Sequence, residues 1–244
     1  MLVLAGLGIS DERGITLEEI EEAKDADMLF IELYTNIWHG SIERLEKLVG
    51  KRIDVLKRKD LEEDVDRILN FAIDKKIIIF VPGDPLVATT HTSIILECIK
   101  RGIEVKIIHN SSIFSAVCAT GLHIYKFGQS ITIPLREKIV SKVDSILNIV
   151  KENKKRGLHT LCLLDIDVEN NSFLTVGEGI KFLIENDLIK GEDRLIVASC
   201  LGTKNERIVW KEAKHLLFED FKLPAVIVIP GDLHFSEKEF LENI

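Results

Sequence analysis

The stretch FVPGDPLVATTH, residues 80–91, decides the fold expected of this chain. Residues 77–81 are apolar and mostly β-branched, which predicts a short strand buried on both faces. The turn Pro82-Gly83-Asp84-Pro85 ends this strand, because proline lacks an N–H, glycine tolerates a positive φ and aspartate bonds within its own turn. The threonine pair 89–90 then caps a helix that Gly102 closes. We therefore expect a rigid loop at the carboxyl end of a strand, where open α/β sheets bind their ligands.

Outward from this loop, strand and helix patterns alternate along the chain. The first half predicts parallel βα units, with strands over 2–7, 28–33, 53–56, 77–81 and 104–108 and helices over 16–24, 41–48 and 60–74. The second half has hairpin-like spacing and predicts a mixed sheet, with strands over 130–134, 158–164, 195–200, 207–210 and 225–229 and helices over 137–153 and 178–185. The expected fold class is α/β in two lobes, a mostly parallel domain 1–110 and a mixed domain 111–244, with a ligand cleft between them.

The composition of the chain disfavours several classes of function. The chain has 244 residues, 46% of them hydrophobic, and a formal net charge of −8, which disfavours general nucleic-acid binding because phosphates need clustered Lys and Arg. Its four cysteines lie far apart without a CxxC pair, which favours reduced thiols in a cytoplasmic protein over disulfides or a zinc site. The N-terminus lacks a signal-peptide pattern, and no apolar run nears the roughly 20 residues of a membrane span. We expect a cytoplasmic protein that uses no metal and binds neither membrane nor nucleic acid.

The segment from Pro82 to His91 resembles the glycine-aspartate-proline loop of the tetrapyrrole-methylase-like methyltransferases, and most closely that of the diphthine synthase family. Further segments fall on the same family pattern, at residues 6–8, 32–35, 107–113, 121–128, 157–161 and 230–234. The turn Pro230-Gly231-Asp232 also repeats the chemistry of the first loop. The resemblance therefore covers nearly the whole chain.

This resemblance implies a tetrapyrrole-methylase type of fold, a homodimer and a methyltransferase that uses S-adenosylmethionine and releases S-adenosylhomocysteine. The implied substrate is translation elongation factor 2, whose modified histidine (3-amino-3-carboxypropyl-histidine) is methylated on its amino group during diphthamide biosynthesis to give diphthine. The family's cofactor-binding positions fall on Ile9, Asp84, Val87, Ser112, Ile113, Leu164, Leu201 and His234. In this assignment Asp84 accepts hydrogen bonds from the cofactor, and His234 holds the cofactor without acting as the base. Catalytic residues stay unassigned.

Repeated methylation ends in a quaternary ammonium, a fixed cation that aromatic faces suit. Tyr34, Tyr125 and Phe127 are the candidates for such a face. One segment departs from the family pattern: residues 135–138 run almost straight into the long helix, where the family usually carries a Trp- and Tyr-containing segment. This departure bears on substrate choice and on dimer contacts.

Three alternatives stay open at this point. Gly6-Leu7-Gly8 after a strand, with Glu32 ending the next strand, is compatible with a dinucleotide site, although Asp11 replaces the third glycine of that fingerprint. A related methyltransferase that acts on a tetrapyrrole or on RNA would share the cofactor motifs. A non-catalytic α/β ligand-binding module would share only the fold.

Overall fold

Five parallel strands form the sheet of unit 1, which comprises Met1–Ala116 in the computed structural model of this chain. The structure describes residues 1–138 and 143–244, and Val117–Ile244 forms unit 2. The sequence put the domain boundary between residues 110 and 111, and the two units divide at Ala116 and Val117. The strands of unit 1 are β1 (Leu2–Gly6), β2 (Met28–Glu32), β3 (Ile53–Leu56), β4 (Ile77–Val81) and β5 (Val105–Ile108), in the order β3-β2-β4-β1-β5. The predicted parallel N-terminal sheet is confirmed.

Alternate residues of the central strand β1 pack on opposite faces of this sheet. Leu2 and Leu4 belong to one apolar core, whereas Val3 and Ala5 belong to another. All four are fully buried, as is every residue of β4. Burial on both faces explains why these strands are continuous apolar runs rather than alternating ones.

Six helices complete unit 1: α1 (Leu17–Asp25), α2 (Ile42–Val49), α3 (Arg58–Glu62), α4 (Val65–Asp74), α5 (Thr92–Lys100) and α6 (Ile113–Ala116). The helix predicted over 60–74 is wrong as one element, since it is divided between α3 and α4. Asp64, with φ −110° and ψ 31°, occupies the N-cap position of α4. The N–H groups of Glu63 and Asp64 both donate to the carbonyl of Lys59, at 3.0 and 2.9 Å, which ends α3, and aspartate favours such a position over a helix interior.

The start of α5 also differs from the prediction. His91, not a threonine, occupies its N-cap, and the hydroxyl of Thr89 instead donates to the carbonyl of Pro85 at 2.7 Å. The loop therefore continues to His91, because Thr89 bonds back to the proline turn. The other end is as predicted: Gly102 has a φ of +67° and follows α5 directly after its C-cap residue.

A mixed sheet forms the centre of unit 2. Its strands are β6 (Ile131–Ile133), β7 (Thr160–Leu164), β10 (Arg194–Ser199), β11 (Arg207–Glu212) and β12 (Ala225–Ile229), and a small hairpin joins β8 (Ile166–Asp167) to β9 (Ser172–Phe173). The order is β11-β10-β12-β7-β6, in which only the β6–β7 pair is parallel. The predicted mixed C-terminal sheet is confirmed.

Four helices accompany this sheet in the described part of unit 2: α7 (Val143–Lys155), α8 (Val176–Glu185), α9 (Ala213–Leu216) and α10 (Phe235–Glu242). Buried residues of α7, α8 and α9 share one core with the strands. Of the helix predicted over 137–153, residues 137–138 lie in a 3-10 turn instead, and residues 143–153 lie in α7. The predicted residues 139–142 lie outside the described part of the chain.

Candidate functional site

Three loops meet at the carboxyl ends of the adjacent strands β4, β1 and β5. The N–H of Gly8 donates to the carbonyl of Gly83 at 3.1 Å, and the N–H of Gly83 donates back to Gly8 at 2.8 Å. Asn110, just after β5, donates from Nδ2 to the carbonyls of Gly6 at 2.6 Å and Gly14 at 3.0 Å. These bonds join the loops into one backbone framework at the edge where open α/β sheets bind ligands.

Asp84 fixes the loop after β4 to the loop after β5. Its Oδ1 accepts from the N–H of Leu86 at 3.0 Å, and its Oδ2 accepts from the N–H of Asn110 at 3.2 Å. The same Oδ2 lies 2.8 Å from Nδ1 of His109. The carboxyl is almost fully buried and accepts these bonds from its own chain, so its first role is to set the geometry of the loops.

The other predicted cofactor residues of unit 1 lie on the same three loops. Ile9 follows Gly8 after β1, Val87 lies in the Asp84 loop, and Ser112 and Ile113 come after β5 at the start of α6. Within residues 1–138 and 143–244, the backbone of Ile9, the carbonyl of Val87 and the hydroxyl of Ser112 have no hydrogen-bond partner. The structure thus brings five predicted residues to one sheet edge and leaves polar groups there that can bind a ligand.

Glu32 has a role different from the one that a dinucleotide site requires. It is fully buried and accepts from the N–H groups of Tyr34 at 3.0 Å and Thr35 at 3.1 Å. His91 lies beside it, with Nδ1 donating to the carbonyl of Pro85 at 3.0 Å and Nε2 3.9 Å from Glu32 Oε1. Burial raises the pKa of Glu32 against the opposing effect of the Thr35 hydrogen bond. A carboxylate enclosed in this way is not placed to bind a ribose, which argues against the dinucleotide alternative.

Leu164 and Leu201 lie at one edge of the sheet of unit 2. Strands β7 and β10 are both antiparallel to β12, which lies between them, so their carboxyl ends share an edge. Leu164 is the last residue of β7, and Leu201 follows β10 after Cys200, whose φ is +51°. Both leucines are buried.

His234 lies at the opposite edge of that sheet. It follows β12, and the antiparallel register pairs Ile229 with Thr160 at the start of β7, whereas Val226 pairs with Leu163 near its end. The length of β7 therefore separates His234 from Leu164, about 13 Å at roughly 3.3 Å per residue. The structure does not bring His234 together with the two leucines.

At that edge His234 caps helix α10. Its Nδ1 accepts from the N–H of Ser236 at 3.4 Å and lies 2.8 Å from the Ser236 hydroxyl. The ring is part of a row with His123 and Phe235, at centroid distances of 5.3 and 4.2 Å. Capping accounts for a polar side chain at this position.

A buried carboxylate, Glu237, underlies this cap. It accepts from the N–H groups of His123 at 2.8 Å and His234 at 2.7 Å, from Lys126 Nζ at 2.7 Å and from His159 Nε2 at 3.1 Å. Burial alone would raise the pKa of Glu237, but the bonds from Lys126 and the two backbone N–H groups hold it at about 2. Burial lowers the pKa of His159, whose Nδ1 accepts from the N–H of Gly231 at 2.9 Å. The network fixes the Pro230-Gly231-Asp232 turn.

Of the three aromatic candidates, one ring is largely exposed. Tyr34 is buried, with the Arg58 guanidinium 5.0 Å from its ring centroid. Phe127 packs edge-on against His159 at 5.3 Å. Tyr125 is 78% exposed and is the candidate with a face open to a ligand cation.

The described residues carry few signs of other kinds of site. No helix within 1–138 or 143–244 is both long and apolar enough to cross a bilayer. The same residues contain no group of three or more His, Cys, Asp or Glu side chains placed to hold a metal ion. Cys98, Cys118, Cys162 and Cys200 are free thiols.

Sequence reasoning assigned no role to Asn110 or Glu237 and did not predict the contact between Asp84 and His109. The position of Asn110 directly after a strand was a usable signal, as was the spacing of three between His234 and Glu237, which is that of a capping box. The contact between Asp84 and His109 had no such signal, because it depends on the adjacency of separate strands.

Known proteins resemble this chain over its full length. Residues 1–216 match the family model of the tetrapyrrole (corrin/porphyrin) methylases. A diphthine synthase of Methanocaldococcus jannaschii is 41% identical over 254 residues, covering 100% of this chain and 98% of the relative. The diphthine synthase of Methanococcus aeolicus is 38% identical, with the same coverage of both chains. A crystal structure of diphthine synthase superposes with a TM-score of 0.89 at 36% identity, covering 99% of this chain and 94% of that one.

Proposed function

The chain belongs to the tetrapyrrole (corrin/porphyrin) methylase family, and on that premise we propose that it methylates the amino group of 3-amino-3-carboxypropyl-histidine in translation elongation factor 2. It is an S-adenosylmethionine-dependent methyltransferase of diphthamide biosynthesis. The observation that carries the proposal is similarity to diphthine synthases from end to end, in sequence and in fold. A shared cofactor motif alone would not identify the substrate. Similarity over the full length also covers the segments that determine which substrate binds.

The donor set at the carboxyl ends of β4, β1 and β5 fits the proposed cofactor. S-adenosylmethionine supplies an activated methyl group on a sulfonium and carries an adenine, ribose hydroxyls, a carboxylate and an ammonium. The unbonded backbone groups of Ile9, the carbonyl of Val87 and the hydroxyl of Ser112 offer both donors and acceptors for such groups. We assign cofactor contact to these residues together with Ile113 and, in unit 2, Leu164 and Leu201.

Asp84 contributes to cofactor binding chiefly by holding the loops in place. Its three hydrogen bonds from the chain fix Leu86, next to Val87, and Asn110, two residues before Ser112. Binding groups held in advance lose less conformational freedom when a ligand arrives. His234 follows β12 at the other edge of the sheet of unit 2, and its contact with the cofactor stays part of this proposal.

An exposed aromatic ring and the net charge of the chain are compatible with a methylated amine as the product. The acceptor must present a neutral nitrogen lone pair, and the final product is a cation that no loss of a proton can neutralise. The exposed ring of Tyr125 suits that cation. The formal charge of −8 is compatible with a cationic product and unfavourable for RNA as the substrate.

We further propose a cytoplasmic homodimer. The four free thiols support a reducing compartment, and two-fold dimers are the most common soluble oligomers. Sedimentation equilibrium at micromolar concentration tests the dimer: a mass of twice 27.6 kDa is expected, and a monomer would contradict it.

Calorimetry tests the cofactor assignment without the protein substrate. The chain should bind S-adenosylmethionine and S-adenosylhomocysteine with a dissociation constant of about 1–10 μM, or about −7 to −8 kcal/mol. It should not bind a nicotinamide dinucleotide. Binding of the dinucleotide in the absence of binding to either sulfur compound would overturn the assignment.

A further inference from the structure

Asp84 and His109 form a carboxylate–imidazole pair in which the two side chains differ sharply in exposure. The Nδ1 atom of His109 lies 2.8 Å from Oδ2 of Asp84. The Asp84 side chain is 7% exposed, whereas the His109 side chain is 67% exposed. The pair lies at the carboxyl ends of β4 and β5, on the same loops as Val87, Ser112 and Ile113.

The hydrogen bonds around Asp84 determine which nitrogen of His109 carries the proton. A carboxylate only accepts, so the Nδ1 atom at 2.8 Å must be the N–H donor. In the neutral ring Nε2 then holds the lone pair, and it has no partner among residues 1–138 and 143–244. The N–H groups of Leu86 and Asn110 fix the carboxylate in turn. Asp84 thus holds the ring in one tautomer with an accessible acceptor nitrogen.

Methyl transfer to an amine needs a base. Aliphatic amines titrate at roughly pH 8 to 10, so the acceptor nitrogen is mostly an ammonium near neutral pH and has no lone pair to react. Each of the early methylations also leaves the nitrogen with a proton that must go before the next methyl arrives. A histidine oriented by a buried carboxylate is the arrangement that general-base catalysis uses.

We propose that His109 is the general base of the reaction and that Asp84 is its positioning residue, an inference that rests on the proposed function. Nε2 takes one proton from the substrate ammonium and leaves a neutral amine. The N–C bond then forms as the C–S bond of the sulfonium donor breaks, and the electron pair of that bond stays on sulfur. His109 releases its proton to solvent before the next cycle.

Other histidines are less suited to this role. His91 is buried, and its free Nε2 faces Glu32. His159 is buried with both ring nitrogens hydrogen-bonded, and Nδ1 of His234 caps α10. In the described chain, Asp84 is the one charged side chain in ion-pair contact with His109.

The test is the variant His109→Asn, which can keep a donor toward Asp84 at the Nδ1 position but has no Nε2. Calorimetry should give S-adenosylmethionine affinity within threefold of wild type, while kcat for methylation of the modified elongation factor at pH 7 falls about 100-fold. Only amine that is already neutral can react in the variant, so its kcat should rise about tenfold per pH unit below the pKa of the amine, and more steeply than wild type from pH 7 to 8. His109→Gln checks the result with a second side chain, and the exposed His215→Asn, on α9, is the matched control.

Three outcomes separate the possible failures. If wild type methylates the substrate and His109→Asn matches it in kcat and pH profile, the base role is wrong and the proposed function stands. If cofactor affinity falls in proportion to the rate and the pH profile keeps its shape, His109 is a binding or structural residue and the base role is again wrong. A wild type without activity on this amine would overturn the proposed function and the base role together.

Discussion

The carbonyl oxygen of Gly83 lies 2.5 Å from the position that a Cβ atom on Gly6 would occupy. The Cδ atom of Pro85 lies 2.9 Å from the same position. The end of β1 and the Asp84 loop therefore touch backbone to backbone, which a side chain at residue 6 would prevent.

Gly6→Ala should destabilise unit 1 and displace the Asp84 loop. The Gly83 carbonyl and the Pro85 ring lie in a rigid turn and cannot move away cheaply, so we expect a loss of about 1–3 kcal/mol in the free energy of unfolding. Urea denaturation measures the loss. Gly191→Ala is the control, because its Cβ would meet only Lys214 Cβ at 3.6 Å. The free energy of unfolding of this variant should stay close to that of wild type. Equal stability of the two variants would show that the contact at Gly6 does not constrain the loop.

Asp84→Asn should weaken the binding of S-adenosylmethionine. The amide has one acceptor oxygen for bonds that two carboxylate oxygens now accept, and losing a charge-assisted bond costs roughly 1.5–3 kcal/mol. We expect affinity to fall by a factor of tens, measured by calorimetry on protein shown to be folded by circular dichroism. Asp232→Asn changes the matching aspartate of the turn in unit 2 and should leave affinity as it is. If the two variants bind alike, Asp84 does not organise the site.

Glu237→Gln should destabilise unit 2, because it removes one partner of the ion pair with Lys126. Lys126 is 22% exposed, so we expect the lower cost of a lost charge-assisted hydrogen bond, about 1.5–3 kcal/mol, measured by urea denaturation. Glu239→Gln, on the exposed side of the same helix, is the control and should leave the free energy of unfolding almost unchanged.

The pKa of Glu237 predicts acid sensitivity in the same unit. The folded value of about 2 lies below the ordinary value of about 4.3, so its contribution is complete above pH 4.3 and is lost as pH falls toward 2. The difference in stability between wild type and Glu237→Gln should therefore shrink from pH 5 to pH 3. A constant difference over that range would contradict the assignment of an ionised Glu237.

Glu19 should have the opposite pH dependence. Burial raises the pKa of Glu19 to about 7, although the hydrogen bonds from Thr16 oppose the shift. The folded value lies above the ordinary value, so the folded chain loses stability as pH rises through the interval from about 4.3 to 7. Glu19→Gln keeps an acceptor for the capping box and removes the charge, so its melting temperature relative to wild type should rise between pH 5 and pH 8. A difference that stays constant or falls would contradict this account.

His234→Ala distinguishes a cap from a cofactor contact. Loss of the N-cap of α10 should cost about 1 kcal/mol of stability, and loss of a cofactor contact should in addition weaken S-adenosylmethionine binding more than threefold. Thermal melts and calorimetry on the same preparation measure both quantities. A loss of stability with affinity still within threefold of wild type would show that His234 only caps α10.

The sequence predicted those parts of the fold that depend on the chemistry of single residues or short segments. The capping box of Thr16 and Glu19, the apolar runs of the buried strands and the closing glycine of α5 are all present as expected. Local sequence does not predict the break between α3 and α4, because helical periodicity continues through residues 62–64 while the backbone of Asp64 leaves the helical angles.

The candidate site was predictable only within single loops. That Asp84 lies in a turn after β4 follows from local sequence, but its contact with His109 requires β4, β1 and β5 to be neighbours. Likewise the position of His234 depends on the antiparallel direction of β12 against β7, which no local pattern reveals.

Methyl transfer to the protein substrate tests the central claim most directly. The chain is incubated with isotope-labelled S-adenosylmethionine and elongation factor 2 that carries 3-amino-3-carboxypropyl-histidine, and the products are read by peptide mass spectrometry. We expect labelled methyl groups on the amino nitrogen of that histidine, and none on elongation factor with the unmodified histidine. Absence of label on the modified factor, with label instead on a tetrapyrrole or on RNA, would contradict the proposed function.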